Sequence, residues 1–325
     1  MSIRSNYAGI FAALLLTAGA TAAAHAEPLR LSYFVWPGYG PFFVAQEKGF
    51  FAKEGVGVEL INMEDHGAVV AGLSSGQIHG ALGVLPDAAT FSEPGEAMVS
   101  VLLTDVSRGG DGILAANDIQ SVPDLKGRSV AVLSGSVQLY YLNLVLKEFG
   151  LSQADVEIVD LSAQDAATAF LLQEVDAAVT YEPWLSEGQK SQHGHLLIDT
   201  SGGLGELYAG LVTPVRVFRE RESDFEALGR AWDAGVAYAR AKPEEALEIM
   251  RHSLGWDEDP AGFAAMFDGF EWLDGESNRQ FFGTTDQTGP IYETMREGLE
   301  VLSEMGELKM ELSPADVIAH GVWDE

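Results

Sequence analysis

The tripeptide Ser134-Gly135-Ser136 lies between a run of β-forming residues and a helical segment. The free backbone N–H groups and the dipole at a helix N-terminus attract anions, and a glycine lets a ligand approach the backbone closely. Either serine could instead simply cap the helix. Because ligands of α/β sheets bind beyond the carboxyl ends of strands, the position of this tripeptide favours a role in anion binding.

Three carboxylates occur at comparable turns. Glu182 directly follows a predicted strand, where its carboxylate could hold an amino or ammonium group, or could instead bond to the protein's own charges and backbone. Asp87 occupies the corresponding place earlier in the chain and could cap the next helix. Asp111 lies close to Arg108, which could pair with Asp111 or contact an anionic ligand.

Aromatic residues share these loops. Trp36, Tyr39 and Gly40 lie in a segment rich in proline and glycine, and Tyr181 and Trp184 occupy a second loop after a predicted strand. Rigid rings there could cover a methylene group or a ring of a ligand, and a tyrosine adds a hydroxyl. Packing of the loop into the core is the alternative for each ring. We favour Trp36 as a ligand contact, and Tyr39 less strongly.

The sequence offers little for catalysis or metal binding. The segment Gly72-Leu73-Ser74-Ser75-Gly76 matches G-x-S-x-G, but a predicted helix precedes it and a predicted strand follows, the reverse of a nucleophile elbow. The seven histidines show no H-E-x-x-H spacing. The chain has no cysteine, which excludes thiolate metal sites and cysteine nucleophiles. We therefore predict no catalytic residue, metal or cofactor.

Strand-like and helix-like segments alternate along the chain, which predicts the α/β class. Two β-α-β-α-β units follow the same plan, with the same spacing between their first two strands, so they predict two related lobes. The predicted strands are Leu29–Val35, Val56–Asn62 and His79–Leu85 in the first unit and Ser129–Leu133, Val156–Leu161 and Ala177–Tyr181 in the second. The predicted helices are Pro41–Phe51, Gly67–Ser75, Val137–Phe149, Gln164–Gln173, Phe225–Ala241, Glu244–Leu254, Ala261–Phe267 and Ile291–Gly306.

We assign residues 27–112 together with 208–325 to the first lobe and residues 113–207 to the second. The segment Tyr208–Pro214 is predicted as a strand that returns to the first lobe, and the remainder from Phe218 reads as helical. The two crossings between lobes, near Gly112 and near Gly203, would form a hinge.

The N-terminus indicates export. Arg4 precedes an apolar run from Ala8 to Ala20, and Ala24-His25-Ala26 matches an A-x-A cleavage site, so residues 1–26 read as a signal peptide and the mature chain begins near Glu27. The formal net charge is −30, which argues against binding to nucleic acid or to anionic lipid. No later segment is apolar and long enough to span a bilayer.

Three segments carry a resemblance to a known family: Trp36-Pro37-Gly38-Tyr39-Gly40-Pro41 with Gly49-Phe50-Phe51, then Asp105–Ile113, then Val179–Glu187. The chain resembles the periplasmic binding proteins of importers for nitrate, taurine, aliphatic sulfonates and the thiamine pyrimidine precursor. The resemblance implies a type II fold of two lobes, each with a mixed sheet flanked by helices, that closes on a ligand. It also implies an ABC permease and ATPase as partners and no catalysis.

Helix N–H donors at one end of a cleft and a carboxylate at the other suit a zwitterion such as taurine or another small sulfonate. An aminopyrimidine that stacks on the aromatic rings and pairs with Glu182 is the alternative, and a secreted enzyme that uses the same cleft is a more remote one. We expect a periplasmic monomer. The candidate ligand-binding residues are Trp36, Tyr39, Gly40, Asp87, Arg108, Asp111, Ser134, Gly135, Ser136, Tyr181, Glu182 and Trp184.

Overall fold

The structure is a computed structural model that describes residues 27–257, 259–284 and 286–319 together with Trp323. The predicted signal peptide, residues 1–26, lies outside the described residues. In the described part of the chain, two mixed β-sheets are flanked by helices, which confirms the predicted α/β class.

The strands of the described residues are numbered along the chain. They are β1 (Leu29–Tyr33), β2 (Val58–Asn62), β3 (Gly80–Val84), β4 (Met98–Ser107), β5 (Asp111–Ala116), β6 (Ser129–Val132), β7 (Glu157–Asp160), β8 (Ala177–Tyr181), β9 (Gly194–Asp199), β10 (Tyr208–Pro214) and β11 (Phe270–Trp272). The first sheet has the order β11-β4-β10-β3-β1-β2 and the second the order β7-β6-β8-β5-β9.

The helices are numbered in the same way. They are α1 (Gly40–Glu47), α2 (Phe50–Glu54), α3 (His66–Ser75), α4 (Asp87–Thr90), α5 (Val137–Glu148), α6 (Ala163–Leu171), α7 (Trp184–Gly188), α8 (Val215–Glu220), α9 (Glu222–Ala241), α10 (Pro243–Ser253), α11 (Pro260–Ala265), α12 (Gly275–Phe282), α13 (Ile291–Met305) and α14 (Pro314–Val317). Short 3-10 segments occupy Pro37–Tyr39, Val122–Leu125, Gln153–Asp155, Thr200–Gly202 and Met266–Gly269.

Parallel pairing organises one side of each sheet, up to the edge strands β2 and β7. In the first sheet β1 pairs in parallel with β2 and β3, and in the second β6 pairs in parallel with β7 and β8. The other strands of each sheet pair in antiparallel fashion, β10 between β3 and β4, and β5 between β8 and β9. Parallel strands place their carboxyl ends at one edge of a sheet, so the loops that follow β1, β3, β6 and β8 gather there.

Side-chain caps begin several helices that closely follow strands. Asp65 caps α3 by accepting the N–H of Ala68, and Ser136 caps α5 by accepting the N–H of Leu139. Ser162 caps α6 in the same manner. Each cap satisfies one of the free N–H groups of the first helical turn and fixes where the helix starts.

The chain passes between the sheets twice, through residues 108–110 after β4 and through residues 200–207 before β10. Thr200 ties the two crossings together, because its hydroxyl shares a hydrogen bond of 2.7 Å with the Ser107 hydroxyl and accepts the N–H of Gly109 at 2.8 Å. The two connections therefore form one hydrogen-bonded unit between the sheets.

Two expectations about the elements were wrong. The single helix expected over Pro41–Phe51 is two helices, α1 and α2, because Gly49 between them adopts a left-handed backbone conformation with φ of 70°. The chain beyond Phe218 is not wholly helical, since β11 pairs with β4 at the edge of the first sheet. The sequence also gave no prediction for β4, β5 and β9.

Candidate functional site

The loops at the carboxyl ends of the strands enclose a cleft with two connected chambers. The hinge-side chamber contains about 300 Å³ of empty space and the wide chamber about 660 Å³, and both figures include space open to solvent. Residues that line both chambers are Phe34, Val84, Val137, Gln138 and Tyr181. The hinge-side chamber is further lined by Trp36, Tyr39, Asp105, Ser107, Asp111, Leu207 and Ala209.

Trp36 forms a fixed wall of the hinge-side chamber. The side chain is 4% exposed, and its Nε1 donates to Oδ1 of Asp105 at 3.0 Å. The hydroxyl of Thr104 donates to Oδ2 of the same carboxylate at 2.9 Å. A Cβ at position 38 would lie 2.3 Å from both Asp105 Oδ2 and Trp36 Nε1, so Gly38 is what allows this close approach. The indole is thereby held in one orientation.

Rings from both sides of the cleft meet around this chamber. The Phe34 ring centroid lies 5.4 Å from that of Tyr39 and 5.8 Å from that of Tyr181, and Trp36 lies 6.0 Å from Tyr181. The Tyr39 hydroxyl donates to the carbonyl of Gly83 at 3.0 Å. The Tyr39 hydroxyl is therefore engaged within the protein, whereas the Tyr181 hydroxyl has no hydrogen-bond partner among the described residues.

Two buried carboxylates face the hinge-side chamber. Burial raises the pKa of Asp105 to about 7, with hydrogen bonds from Thr104 and Trp36 opposing the rise. Burial likewise raises the pKa of Asp111 to about 6, and the nearby charge of Glu182 adds to the rise. Oδ1 of Asp111 accepts a hydrogen bond from Gln138 Nε2 at 3.4 Å. Both carboxyl groups are thus held where the ionised form is poorly solvated.

The N-terminus of α5 supplies the opposite chemistry. Ser136 caps this helix, and the next two N–H groups, those of Val137 and Gln138, have no acceptor among the described residues. Both residues line the cleft. The N–H of Ser134 is directed elsewhere, to Oδ1 of Asp160 at 2.7 Å, and Gly135 takes a left-handed φ of 70°. The free N–H groups form a site of positive potential at the cleft.

Further polar side chains line the wide chamber. Oδ2 of Asp87 accepts the N–H of Val84 at 2.9 Å, and burial raises the pKa of this carboxyl while the charge of His66 opposes the rise. Glu64 lies in the same wall. The hydroxyl of Ser32, on β1, is 1% exposed and has no partner within the described part of the chain. An unpaired buried hydroxyl of this kind is uncommon in proteins and marks a place for a polar ligand atom or a water.

Several sequence-predicted residues lie outside both chambers. Both oxygens of Glu182 accept hydrogen bonds from Ser186, one from its N–H and one from its hydroxyl, in a segment that begins with a cis Glu182–Pro183 peptide. Burial raises the Glu182 pKa. Trp184 packs edge-on against Trp256, Arg108 pairs with Glu206, and Gly40 lies against Met250. Ser134 and Gly135 line neither chamber.

The sequence analysis missed Asp105 and Gln138. Asp105 is the only charged residue of the fully buried strand Met98–Ser107, and an acidic residue within such a run is the signal that could have identified it. Gln138 is 6% exposed and carried no comparable signal, because a glutamine in the first turn of a helix is ordinary.

Over the ranges that the structure describes, no group of three or more His, Asp or Glu side chains is placed to hold a metal ion. In the same ranges, no helix combines the length and the apolar character that a membrane crossing requires.

Comparisons with known proteins agree with this architecture. A model of the family described as NMT1/THI5 like matches residues 36–246. A protein of Bacillus subtilis (strain 168) named for binding aliphatic sulfonates is 28% identical over 257 residues, which cover 73% of this chain and 74% of that protein. The taurine-binding periplasmic protein of Escherichia coli (strain K12) is 30% identical over 189 residues, which cover 57% of this chain and 58% of its own.

Solved structures share the fold. The periplasmic aliphatic sulphonate binding protein SsuA of Escherichia coli superposes with a TM-score of 0.72 at 17% identity, covering 90% of this chain and 97% of its own. The desulfurization enzyme DSZB superposes with a TM-score of 0.61 at 17% identity, covering 90% and 97%. The same architecture therefore occurs in binding proteins and in an enzyme.

Proposed function

Because the chain belongs to the NMT1/THI5-like family, we propose that it is a periplasmic solute-binding protein that captures a small sulfonate or zwitterion and delivers it to an ABC importer. The observation that carries the proposal is the cleft itself, where the free N–H groups of Val137 and Gln138 and the buried carboxylates Asp105 and Asp111 line one cavity. Relatives named for sulfonate and taurine binding support the same ligand class.

Capture proceeds by closure of two lobes, residues 27–112 with 208–325 against residues 113–207. The crossings at residues 108–110 and 200–207 serve as the hinge, and the bond network of Thr200 makes them move together. A ligand that contacts both lobes favours the closed arrangement by the difference in its affinity for the two states. The closed monomer then docks on the permease.

The protein is exported by its N-terminal segment, with residues 1–26 removed, and works without turnover of its ligand. The absence of cysteine from the sequence removes one class of nucleophile. Because DSZB shows that this fold can carry an enzyme, the test is direct: the bound solute, released by denaturation and analysed by mass spectrometry, should be chemically unchanged.

An aminopyrimidine is the second candidate ligand. The rings of Phe34, Trp36, Tyr39 and Tyr181 around the hinge-side chamber favour it, since a flat heterocycle can pack against aromatic walls. Asp105 or Asp111 would then accept hydrogen bonds from the amino group in place of Glu182.

A thermal-shift panel separates the two. Taurine, ethanesulfonate, nitrate and an aminopyrimidine are each added to the mature protein at equal concentration. At about 100 times its Kd, a true ligand should raise the Tm by roughly 5 °C. We expect the rise with a sulfonate. A rise with the aminopyrimidine and none with any sulfonate would show that the ligand class is wrong.

A further inference from the structure

In the described part of the chain, the lining of the hinge-side chamber has acidic side chains and no basic side chain to compensate them. Asp105 and Asp111 both line it, with side chains 0% and 7% exposed, and no lysine or arginine appears among the described residues of its lining. Arg108, the nearby cation in sequence, is engaged with Glu206 instead. An anion placed here would be repelled by two poorly solvated carboxylates, whereas a cation would be attracted to both.

Aromatic rings complete the wall around these carboxylates. Phe34, Trp36 and Tyr39 come from the first sheet's side of the cleft and Tyr181 from the second, and they contact one another at centroid distances of 5.4 to 6.0 Å. The faces of such rings carry negative potential and attract cations, most strongly where water is excluded. Rings and carboxylates thus favour the same sign of charge.

An unpartnered hydroxyl gives independent evidence that this chamber receives a polar group. Tyr181 is 9% exposed, lines the chamber, and has no hydrogen-bond partner for its hydroxyl among the described residues. Burial raises the pKa of Tyr181, and the charges of Glu64 and Asp111 add to the rise, so the hydroxyl lies within electrostatic range of both carboxylates. A tyrosine hydroxyl that lines a cleft without a protein partner can accept a hydrogen bond from a donor group of a ligand.

We propose that the hinge-side chamber binds a protonated amine, and that the solute is therefore a zwitterion with its anionic end at the N-terminus of α5. The inference rests on the proposed function for the anionic end and adds the cationic end to it. The ammonium donates to Asp111 and to the Tyr181 hydroxyl, with Asp105 behind the indole of Trp36 adding charge. Plain alkanesulfonates and nitrate, which lack this group, are then poor ligands.

The titration of the two carboxyls agrees with the geometry. Burial raises both pKa values, to about 7 and about 6, and a bound cation would lower them again. The groups around the pair are Thr104 and Trp36 on Asp105, and Ser107, Gln138 and Glu182 on Asp111. Amine binding at pH 6 should accordingly release protons, and the affinity should rise between pH 5 and pH 8.

The experiment compares two ligands that differ at one group, taurine and 2-hydroxyethanesulfonate, by calorimetry on the mature protein at pH 8. The hydroxyl analogue lacks the charge-assisted hydrogen bonds of the ammonium group, so its affinity should be roughly 10- to 100-fold lower. Asp111→Asn should remove most of this discrimination, because it should lower the affinity for taurine and not that for 2-hydroxyethanesulfonate. Glu148→Gln, which removes an exposed carboxylate of α5 away from the cleft, should leave both affinities unchanged.

Equal affinity for the two ligands in the wild-type protein would overturn the inference, and so would an equal loss of both in Asp111→Asn. The ligand pair needs no variant, so a misfolded variant does not affect the outcome. If ethylammonium binds and no sulfonate does, the amine site stands and the proposed sulfonate function falls. If sulfonates bind regardless of an amine, the function stands and the inference falls.

Discussion

The two parallel units of the molecule, residues 29–84 and 129–181, build opposite walls of one cleft on the same scaffold. In the first, β1 lies between β2 and β3, and in the second β6 lies between β7 and β8. In the first unit, β1 pairs with β3 at two positions, Leu31 with Gly80 and Ser32 with Ala81. In the second unit, β6 likewise pairs with β8 at two positions, Val130 with Ala177 and Ala131 with Ala178.

The difference lies in the loop that follows the first strand. In the first unit this loop is aromatic and buried, and its polar atoms bond to the protein, as Trp36 does to Asp105. In the second unit the corresponding loop, Ser134–Ser136, opens a helix whose Val137 and Gln138 N–H groups stay free. The comparison shows how one fold presents buried rings and Asp105 on one side, and backbone donors together with Asp111 and Tyr181 on the other.

The largest expected effect concerns Asp105 on the first wall. Because burial raises the pKa of Asp105 to about 7, above the ordinary aspartate value of 3.8, the folded state is penalised as pH rises from about 4 to 7, and the penalty persists above that. Asp105→Asn should remove the penalty. The variant should be more stable than wild type at pH 8, by at most about 4 kcal/mol, and should show little advantage at pH 4.

Urea unfolding at pH 4 and pH 8 measures this difference. Glu148→Gln is the control, since its exposed carboxylate should give no pH-dependent change. A variant that is less stable than wild type at pH 8 would mean that the hydrogen bonds to Asp105 outweigh its burial.

A smaller effect is expected from Gly38, on the same wall. A methyl group there would lie 2.3 Å from Asp105 Oδ2 and Trp36 Nε1, neither of which can move freely in a packed interior. Gly38→Ala should therefore destabilise the protein by roughly 1–3 kcal/mol. Gly202→Ala, where a Cβ meets nothing within 4 Å, should change the free energy of unfolding little. Equal stability of the two variants would show that the wall is looser than the contacts imply.

The second wall should respond in affinity rather than in stability. Val137→Pro removes one free N–H at the first position of α5, where proline is tolerated, and Ser136 before it already has the extended conformation that proline requires, with ψ of 166°. Sulfonate binding should weaken about tenfold with little change in Tm. Val137→Ala keeps the N–H and removes the same side chain, so it should bind more tightly than the proline variant. Equal affinities would leave no role for this N–H.

Sequence patterns were enough to predict most of the scaffold, since strands such as Ala177–Tyr181 and Tyr208–Pro214 have the predicted bounds. The β-rich runs and their glycine or proline ends are local signals that act within a few residues. The break at Gly49 was not predicted because glycine also occurs inside helices. The strand β11 was not predicted because a strand of three residues is specified by its neighbour β4 rather than by its own residues.

The site was less predictable because its partners are distant in sequence. The hydrogen bond between Trp36 and Asp105 joins a loop to a later strand, and no local sequence pattern predicts it. For Glu182 the sequence offered a ligand role or a bond within the protein, and the structure has the second, with Ser186 one helical turn away. The ligand contacts and the lobe boundaries remain predictions.

The central claim is that one solute joins the N-terminus of α5 to the hinge-side chamber, and a crystal structure of the taurine complex tests it most directly. Anomalous scattering from the ligand sulfur locates the sulfonate. We expect the sulfur beside the N–H groups of Val137 and Gln138, with the nitrogen within hydrogen-bond distance of Asp111. A sulfur between Asp105 and Asp111, or one outside the two chambers, would contradict the account.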